Sequence, residues 1–129
     1  MRYETILIVG KYETVRNIIK SILKLLGFTK FLFGDKALDI FDANNEKTAD
    51  LIICEYNIFS SMVEHFADEV NVPKLIFIPM HENLQNAVTK IAVNNGDNYI
   101  ISPFNANTLS KKINKIFDKY HLEPTIVEK

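Results

Sequence analysis

The sequence lacks the features that mark disulfide-stapled, membrane-spanning and nucleic-acid-binding proteins. It has one cysteine in 129 residues, Cys54, which excludes a disulfide framework and lies in an apolar run where a small buried side chain is expected. No stretch approaches the ~20 apolar residues that span a membrane, and the first residues lack a signal-peptide core. The net charge of −1 favours no polyanion. We therefore expect a cytoplasmic domain that binds neither membrane nor nucleic acid.

Short apolar runs alternate with helical patterns along the chain. Residues 5–9 and 51–54 are uninterrupted apolar blocks, too short for helices, which predict strands buried on both faces. Three further strands are predicted at 28–33, 74–78 and 99–101. Residues 15–26 carry apolar side chains at i, i+3, i+4 and i+7, which is typical of an amphipathic helix, and similar stripes follow each later strand.

Several residues are predicted to begin or end the helices. Gly27 is expected to stop the first helix, and Asp35 is expected to cap the second. Ser60 or Ser61 is the candidate cap of the third helix, and Asn105 that of the last. The last helix is predicted to bury a stripe listed as Leu109, Ile113, Ile116, Phe117 and Tyr120.

Five strands alternating with five helices predict an α/β fold: a doubly wound, five-stranded parallel sheet with helices on both faces. The flavodoxin-like order 2-1-3-4-5 is the preferred arrangement. A Rossmann fold is disfavoured because Gly10 stands alone where GxGxxG would begin. We assign residues 1–121 to the domain and 122–129 to a polar tail, which is either a terminus or a linker.

Glu55 is the first candidate functional residue, because it follows the central apolar strand. In a sheet of order 2-1-3-4-5, the residues after strands one, three, four and five line the crevice where such folds bind ligands. The histidines His65, His81 and His121 are widely separated, and nothing in their spacing suggests a metal site. The crevice positions in this chain are Gly10, Lys11, Glu55, Ile78, Pro79, Ser102 and Pro103.

Four segments carry a resemblance to a known family: ILIVGKYETVRNIIKSILKLLGF, DLIICEYN, NNGDNYIISPF and NANTLSKKINKIF. From residue 6 to about residue 120 the chain resembles the receiver domain of bacterial response regulators, particularly the single-domain chemotaxis type. The resemblance implies a site with two acids for Mg²⁺, an aspartate that accepts phosphoryl, a hydroxyl and a lysine. Here Gly10 and Lys11 stand at the acid pair, and Glu55 stands at the acceptor.

The remaining site positions also depart from the family pattern. Ile78 replaces the hydroxyl and Ser102 replaces the lysine, whereas Pro103 and Phe104 keep the pattern. The resemblance implies a cis bond before Pro103. Tyr99 keeps the aromatic residue that switches rotamer in the family, although an ordinary strand tyrosine is an equal interpretation.

These replacements predict a degenerate receiver, a pseudo-receiver that is not an enzyme and binds no Mg²⁺. Glu55 alone offers one carboxylate to a metal that prefers six oxygens, beside a cationic Lys11 that is either its counter-ion or unpaired. We expect a phosphorylation-independent module that acts by protein–protein contact in a two-component, chemotaxis or motility pathway. The alternative is an atypical regulator that still accepts phosphoryl or binds an anion around Glu55. Glu55 itself is either a phosphate mimic or inert.

The resemblance also implies a surface that docks partners or forms a homodimer, made by helix four, strand five and helix five. The last helix carries lysines opposite its apolar stripe, a pattern that is also typical of a plain solvated face. The candidate residues are Lys90, Val93, Tyr99, Ile101, Lys112, Lys115 and Lys119.

Overall fold

The computed structural model describes residues 2–66, 70–94 and 96–120, without the side chain of residue 66. The predicted tail at 122–129 and His121 lie outside these residues. The five strands are parallel in the order β2-β1-β3-β4-β5, which confirms the predicted fold. The strands are β1 Arg2–Val9, β2 Phe28–Gly34, β3 Leu51–Glu55, β4 Lys74–Ile78 and β5 Asn98–Ile101. The helices are α1 Glu13–Leu25, α2 Ala37–Glu46, α3 Tyr56–Phe66, α4 Leu84–Val93 and α5 Ala106–Lys119.

The sheet is covered on both faces, which explains why its central strands are continuously apolar. In β3, Leu51 and Ile53 pack towards α1 and α5, whereas Ile52 and Cys54 pack towards α2, α3 and α4. All four side chains are fully buried. Burial raises the pKa of Cys54 to about 12, so its thiol stays protonated and serves as a core side chain. No helix in the described part of the chain is long and apolar enough to cross a membrane.

Two of the four predicted helix boundaries match the structure, and the one at Asp35 does not. Gly27 follows the C-cap of α1 with φ 98°, a left-handed conformation that glycine adopts without strain. The Asn105 side chain accepts a hydrogen bond from the Thr108 amide at 2.9 Å and caps α5. Asp35 does not cap α2: the N-cap is Lys36. Instead, the carboxylate of Asp39 accepts the amide hydrogens of Asp35 and Lys36, at 2.9 and 3.3 Å.

The predicted start of α3 and part of the α5 stripe were also wrong. The third helix begins at Tyr56, directly after β3, because Ile58 and Phe59 already belong to its buried face. Ser60 and Ser61 therefore lie inside the helix. Tyr120 is 38% exposed rather than buried, because its hydroxyl group bonds to Asp97 outside the core.

Candidate functional site

The crevice forms where the carboxyl ends of four strands meet at one edge of the sheet. Val9 is level with Cys54, Glu55 with Phe77, and Ile78 with Ile101. This register brings the residues after β1, β4 and β5 close to Glu55, the last residue of β3. The predicted crevice positions are therefore neighbours in space, as the strand order requires.

Glu55 is held by backbone rather than by an ion pair. Its Oε1 accepts a hydrogen bond from the Lys11 amide at 3.1 Å. The Lys11 ammonium instead lies 5.5 Å from the centre of the Tyr12 ring. The Lys11 side chain is therefore not the counter-ion of Glu55. The main chain of Lys11 binds the carboxylate, and its ammonium group lies over the Tyr12 ring.

An arginine and a phenyl ring complete the surroundings of Gly10. The Arg16 guanidinium donates a hydrogen bond to the Gly10 carbonyl, with Nη1 and O 2.5 Å apart. A Cβ atom at Gly10 would lie 3.5 Å from Phe77 Cζ and 4.0 Å from Glu55 Oε1. The position that carries an acid in the family is thus bordered by a cation, an apolar ring and one carboxylate.

These residues do not fit a magnesium ion. Mg²⁺ requires near-octahedral oxygen ligands, usually including one or two carboxylates that are free to coordinate it. The crevice offers Glu55, one of whose oxygens already accepts the Lys11 amide hydrogen. Among the described residues, no three His, Cys, Asp or Glu side chains are grouped as a metal site would require.

Ile78 places a core side chain where the family has a hydroxyl group, and Ser102 places a short, half-buried side chain where the family has a lysine. Ile78 is 1% exposed and belongs to a cluster with Ala87 and Ile91 of α4. The Ser102 amide donates to the Ile78 carbonyl at 2.9 Å, and Ser102 lines a cleft of about 130 Å³ whose other walls are apolar side chains of α1, the β5–α5 loop and Phe77 of β4. The Ser102–Pro103 bond is cis. Neither side chain supplies a cation to the crevice.

Tyr99 is held from its outer side by Lys112. The Lys112 ammonium lies 4.7 Å from the centre of the Tyr99 ring and donates to Asn98 Oδ1 at 3.2 Å. The same Oδ1 accepts the Tyr99 amide hydrogen at 2.8 Å. Burial, and secondarily Lys115, lowers the pKa of Lys112. Tyr99 also packs on the cluster that contains Ile78, so it has contacts on both sides.

Comparison with known proteins finds relatives in sequence and in fold. No family model matches the sequence. The chemotaxis protein CheY-3 of Vibrio cholerae is 27% identical over 119 residues, covering 88% of this chain and 92% of that protein. The chemotaxis protein CheY of Pseudomonas aeruginosa is also 27% identical over 119 residues and is covered to 96%.

Solved structures show the same fold. A response regulator receiver domain protein from Clostridium thermocellum superposes with a TM-score of 0.70 at 22% identity, over 92% of this chain and 98% of that one. The signal receiver domain of a modulated diguanylate cyclase from Desulfovibrio desulfuricans gives 0.71 at 15% identity, over 93% and 98%. In sequence the chain is similar to CheY-type response regulators, and it has the fold of receiver domains. Receiver domains signal by contacting protein partners.

The structure brings together part of the predicted interaction face. Tyr99, Ile101 and Lys112 line a groove of about 600 Å³ between β5 and α5. Val93 is 71% exposed, and Lys115 is exposed on α5.

Two predicted lysines of that face point elsewhere. The Lys90 ammonium donates to Ser60 Oγ at 2.6 Å and lies 3.8 Å from Glu64, so it ties α4 to α3. Lys119 reaches Asp97 at 3.0 Å, at the opposite end of the sheet from the crevice. Neither ammonium faces the groove between β5 and α5.

Sequence reasoning missed Asp97, whose side chain is 1% exposed. Its carboxylate accepts the Lys74 amide hydrogen at 2.7 Å, the Lys119 ammonium at 3.0 Å and the Tyr120 hydroxyl hydrogen at 2.6 Å. Lys74 is itself buried and donates to the carbonyl groups of Val70 and Val72, and burial lowers its pKa. An acid two residues before a predicted strand was the available signal. Asp97 fixes the end of α5 to the start of β4.

Proposed function

We propose that this receiver domain is a phosphorylation-independent, non-enzymatic module that acts by protein contact in a bacterial two-component or chemotaxis pathway. The observation that carries the proposal is the state of Glu55. It is the carboxylate at the acceptor position, its Oε1 is bound by the Lys11 amide, and Gly10 supplies no acid beside it.

The crevice lacks the acids that hold a metal ion and the lysine after β5, the two sources of positive charge that support phosphoryl transfer in the family. The reaction depends on positioning the donor and neutralising charge on the transferred oxygens. The family does this with a metal and a lysine, whereas the crevice has one engaged carboxylate and Ser102. The side chain of Glu55 is also one methylene longer than that of an aspartate.

The contacts of Tyr99 support a fixed conformation. A ligand shifts a conformational equilibrium only as far as it binds the two states differently. Ile78 has no hydroxyl group with which to follow a phosphoryl group, and its buried side chain is stiff at χ1. Inward rotation of Tyr99 would also give up the Lys112 contact on its ring.

The groove between β5 and α5 is the proposed protein-binding surface. It combines the half-buried ring of Tyr99 with the 43% exposed side chain of Ile101 and the cationic Lys112. Aromatic and apolar anchors beside a charged rim are typical of the energetic centre of interfaces. A protein partner, or a second copy bound through α4, β5 and α5, fits this surface. We expect no nucleic acid to bind it.

One observation favours the alternative function. The Arg16 guanidinium lies beside the Gly10 carbonyl, and the Lys11 ammonium is on the same rim. Two cations next to one carboxylate suit a small anion better than a metal ion. In this alternative the crevice still accepts phosphoryl or holds an anion near Glu55, without Mg²⁺.

Exposure to a small phosphoryl donor tests the proposal. The chain is incubated with acetyl phosphate and millimolar Mg²⁺, and intact mass is measured. We expect no mass gain in the wild type or in Glu55→Gln. The positive controls are an active receiver domain and a variant with Gly10→Asp, Lys11→Asp, Glu55→Asp, Ile78→Thr and Ser102→Lys, checked by circular dichroism. Gain of one phosphoryl group by the wild type, lost in Glu55→Gln, would establish the alternative.

A further inference from the structure

In the described part of the chain, β2 pairs with β1 on one side only, and its other side is an edge of the sheet with exposed apolar side chains. β2 is the first strand of the sheet, and no described residue pairs with its outer side. Leu32 is 38% exposed and Phe33 is 45% exposed. Exposed sheet edges offer unpaired backbone groups to other chains, and apolar edges favour such pairing.

The backbone direction of β2 is fixed by one hydrogen bond. The Gly10 amide donates to the Gly34 carbonyl at 3.1 Å, so the carbonyl of Gly34 points towards β1. Because these groups alternate along a strand, the backbone groups of Thr29, Phe31 and Phe33 point outwards. The side chains of Phe31 and Phe33 lie on the α1 face, and that of Leu32 lies on the α2 face.

We propose that β2 pairs antiparallel with β2 of a second copy around a two-fold axis at Leu32. This isologous arrangement matches the edge to itself. Phe31 of each copy then lies opposite Phe33 of the other, and these residues exchange backbone hydrogen bonds. Leu32 lies opposite Leu32 as a non-hydrogen-bonded pair, with Cα atoms ~4.5 Å apart. Cross-strand aromatic and apolar pairs stabilise such ladders.

The charges along β2 place one attractive and one repulsive pair across this register. Lys30 faces Gly34 of the second copy, next to the oppositely charged Asp35. The Lys20 ammonium covers the Phe31 and Phe33 rings at 5.9 and 5.6 Å, so the two Lys20 side chains approach on one face. Salt screens this repulsion and the attraction between Lys30 and Asp35 alike, so the proposed pairing does not depend on ionic strength in one fixed direction.

The size of the contact predicts a weak dimer. One seven-residue strand per copy is well below the ~20–30 residues a side of a standard interface. We therefore expect a concentration-dependent equilibrium rather than an obligate dimer.

Sedimentation velocity of the full chain tests the proposal between about 0.01 and 1 mM, at about 0.05 and 0.5 M salt. We expect the dimer fraction to rise with protein concentration at both salt concentrations, and Leu32→Lys to reduce it at least tenfold. Leu38→Lys on α2, where the side chain is 46% exposed, is the matched control and should leave it unchanged, whereas Ile101→Lys tests a dimer formed through the groove between β5 and α5. A wild type that stays monomeric, or a dimer lost in Ile101→Lys but kept in Leu32→Lys, overturns the proposal.

Cross-linking tests the register itself. Paired Cα atoms ~4.5 Å apart are within disulfide range, so Leu32→Cys should form a covalent dimer under mild oxidation. Leu38→Cys on α2 is similarly exposed and should not, and the native Cys54 is buried and inert in both variants. Equal cross-linking of the two variants would refute the Leu32-centred pairing.

Discussion

Replacing Asp97 by alanine should be one of the most destabilising single changes outside the apolar core. The carboxylate is 1% exposed and accepts three hydrogen bonds, which join β4 and the end of α5. Alanine removes all three and leaves the Lys74 amide at the start of β4 without its acceptor.

The magnitude follows from the exposure of each donor. An unsatisfied buried amide costs about 1–3 kcal/mol. The Lys119 bond contributes at most about 1 kcal/mol, because that side chain is 60% exposed. The Tyr120 hydroxyl bond adds about 1 kcal/mol. These contributions are not additive, and we expect a loss of about 3 kcal/mol of unfolding free energy in total.

Urea unfolding followed by circular dichroism measures this loss. The midpoint should fall while the m-value is unchanged, and Tm should drop by about 10 °C. Asp97→Asn keeps one acceptor oxygen, and its unfolding midpoint should lie between those of the wild type and Asp97→Ala. Asp118→Ala, an exposed acid on α5, is the control and should cost under about 0.5 kcal/mol. An Asp97→Ala variant within about 1 kcal/mol of wild type would refute the reasoning.

Two glycine substitutions should differ in their effect on stability, and one tyrosine substitution should change how stability depends on pH. In Gly96→Ala the new Cβ would overlap the side chain of Ile91 and lie 3.0 Å from its carbonyl oxygen, so the variant should lose about 2 kcal/mol of unfolding free energy. In Gly10→Ala the new Cβ meets nothing closer than 3.5 Å, so the loss should be under about 1 kcal/mol in the same urea assay. Equal losses in the two variants would contradict the packing. Burial and the bond to Asp97 raise the pKa of Tyr120 to about 12, so its contribution is complete below pH 10 and is lost as pH rises towards 12. Tyr120→Phe should lower the unfolding free energy by at most about 1 kcal/mol at pH 8, because the side chain is 38% exposed. It should also reduce the loss of unfolding free energy between pH 10 and 12. An unchanged slope of unfolding free energy against pH would refute this role of Tyr120.

The fold was predictable because its signals are local and repeated. Continuous apolar runs identify strands buried on both faces, and a 3.6-residue stripe identifies helices. Topology then follows from short right-handed connections. The start of α3 was missed because serines are good caps in general, whereas the inward stripe beginning at Ile58 already required the helix.

The site was predictable in its members but not in its contacts. Strand order places Glu55 beside Gly10 and Lys11, yet the amide rather than the ammonium of Lys11 binds it. The stacking of Lys112 on Tyr99 joins residues 13 positions apart, and side-chain direction decides it. The same applies to Lys90, whose position on α4 did not reveal that it bonds across to α3.

We propose above all that this domain keeps one conformation whatever occupies the crevice. The most direct measurement adds beryllofluoride, a phosphoryl mimic, with millimolar Mg²⁺ and follows the amide signals of Tyr99 and of α4 by NMR. The variant with the five family residues restored shows that the reagent works. For the wild type we predict no saturable shift, because Ile78 and Ser102 give the additive nothing to bind differently in two states. Saturable shifts at Tyr99 and along α4 would contradict the claim and make Glu55 part of a working switch.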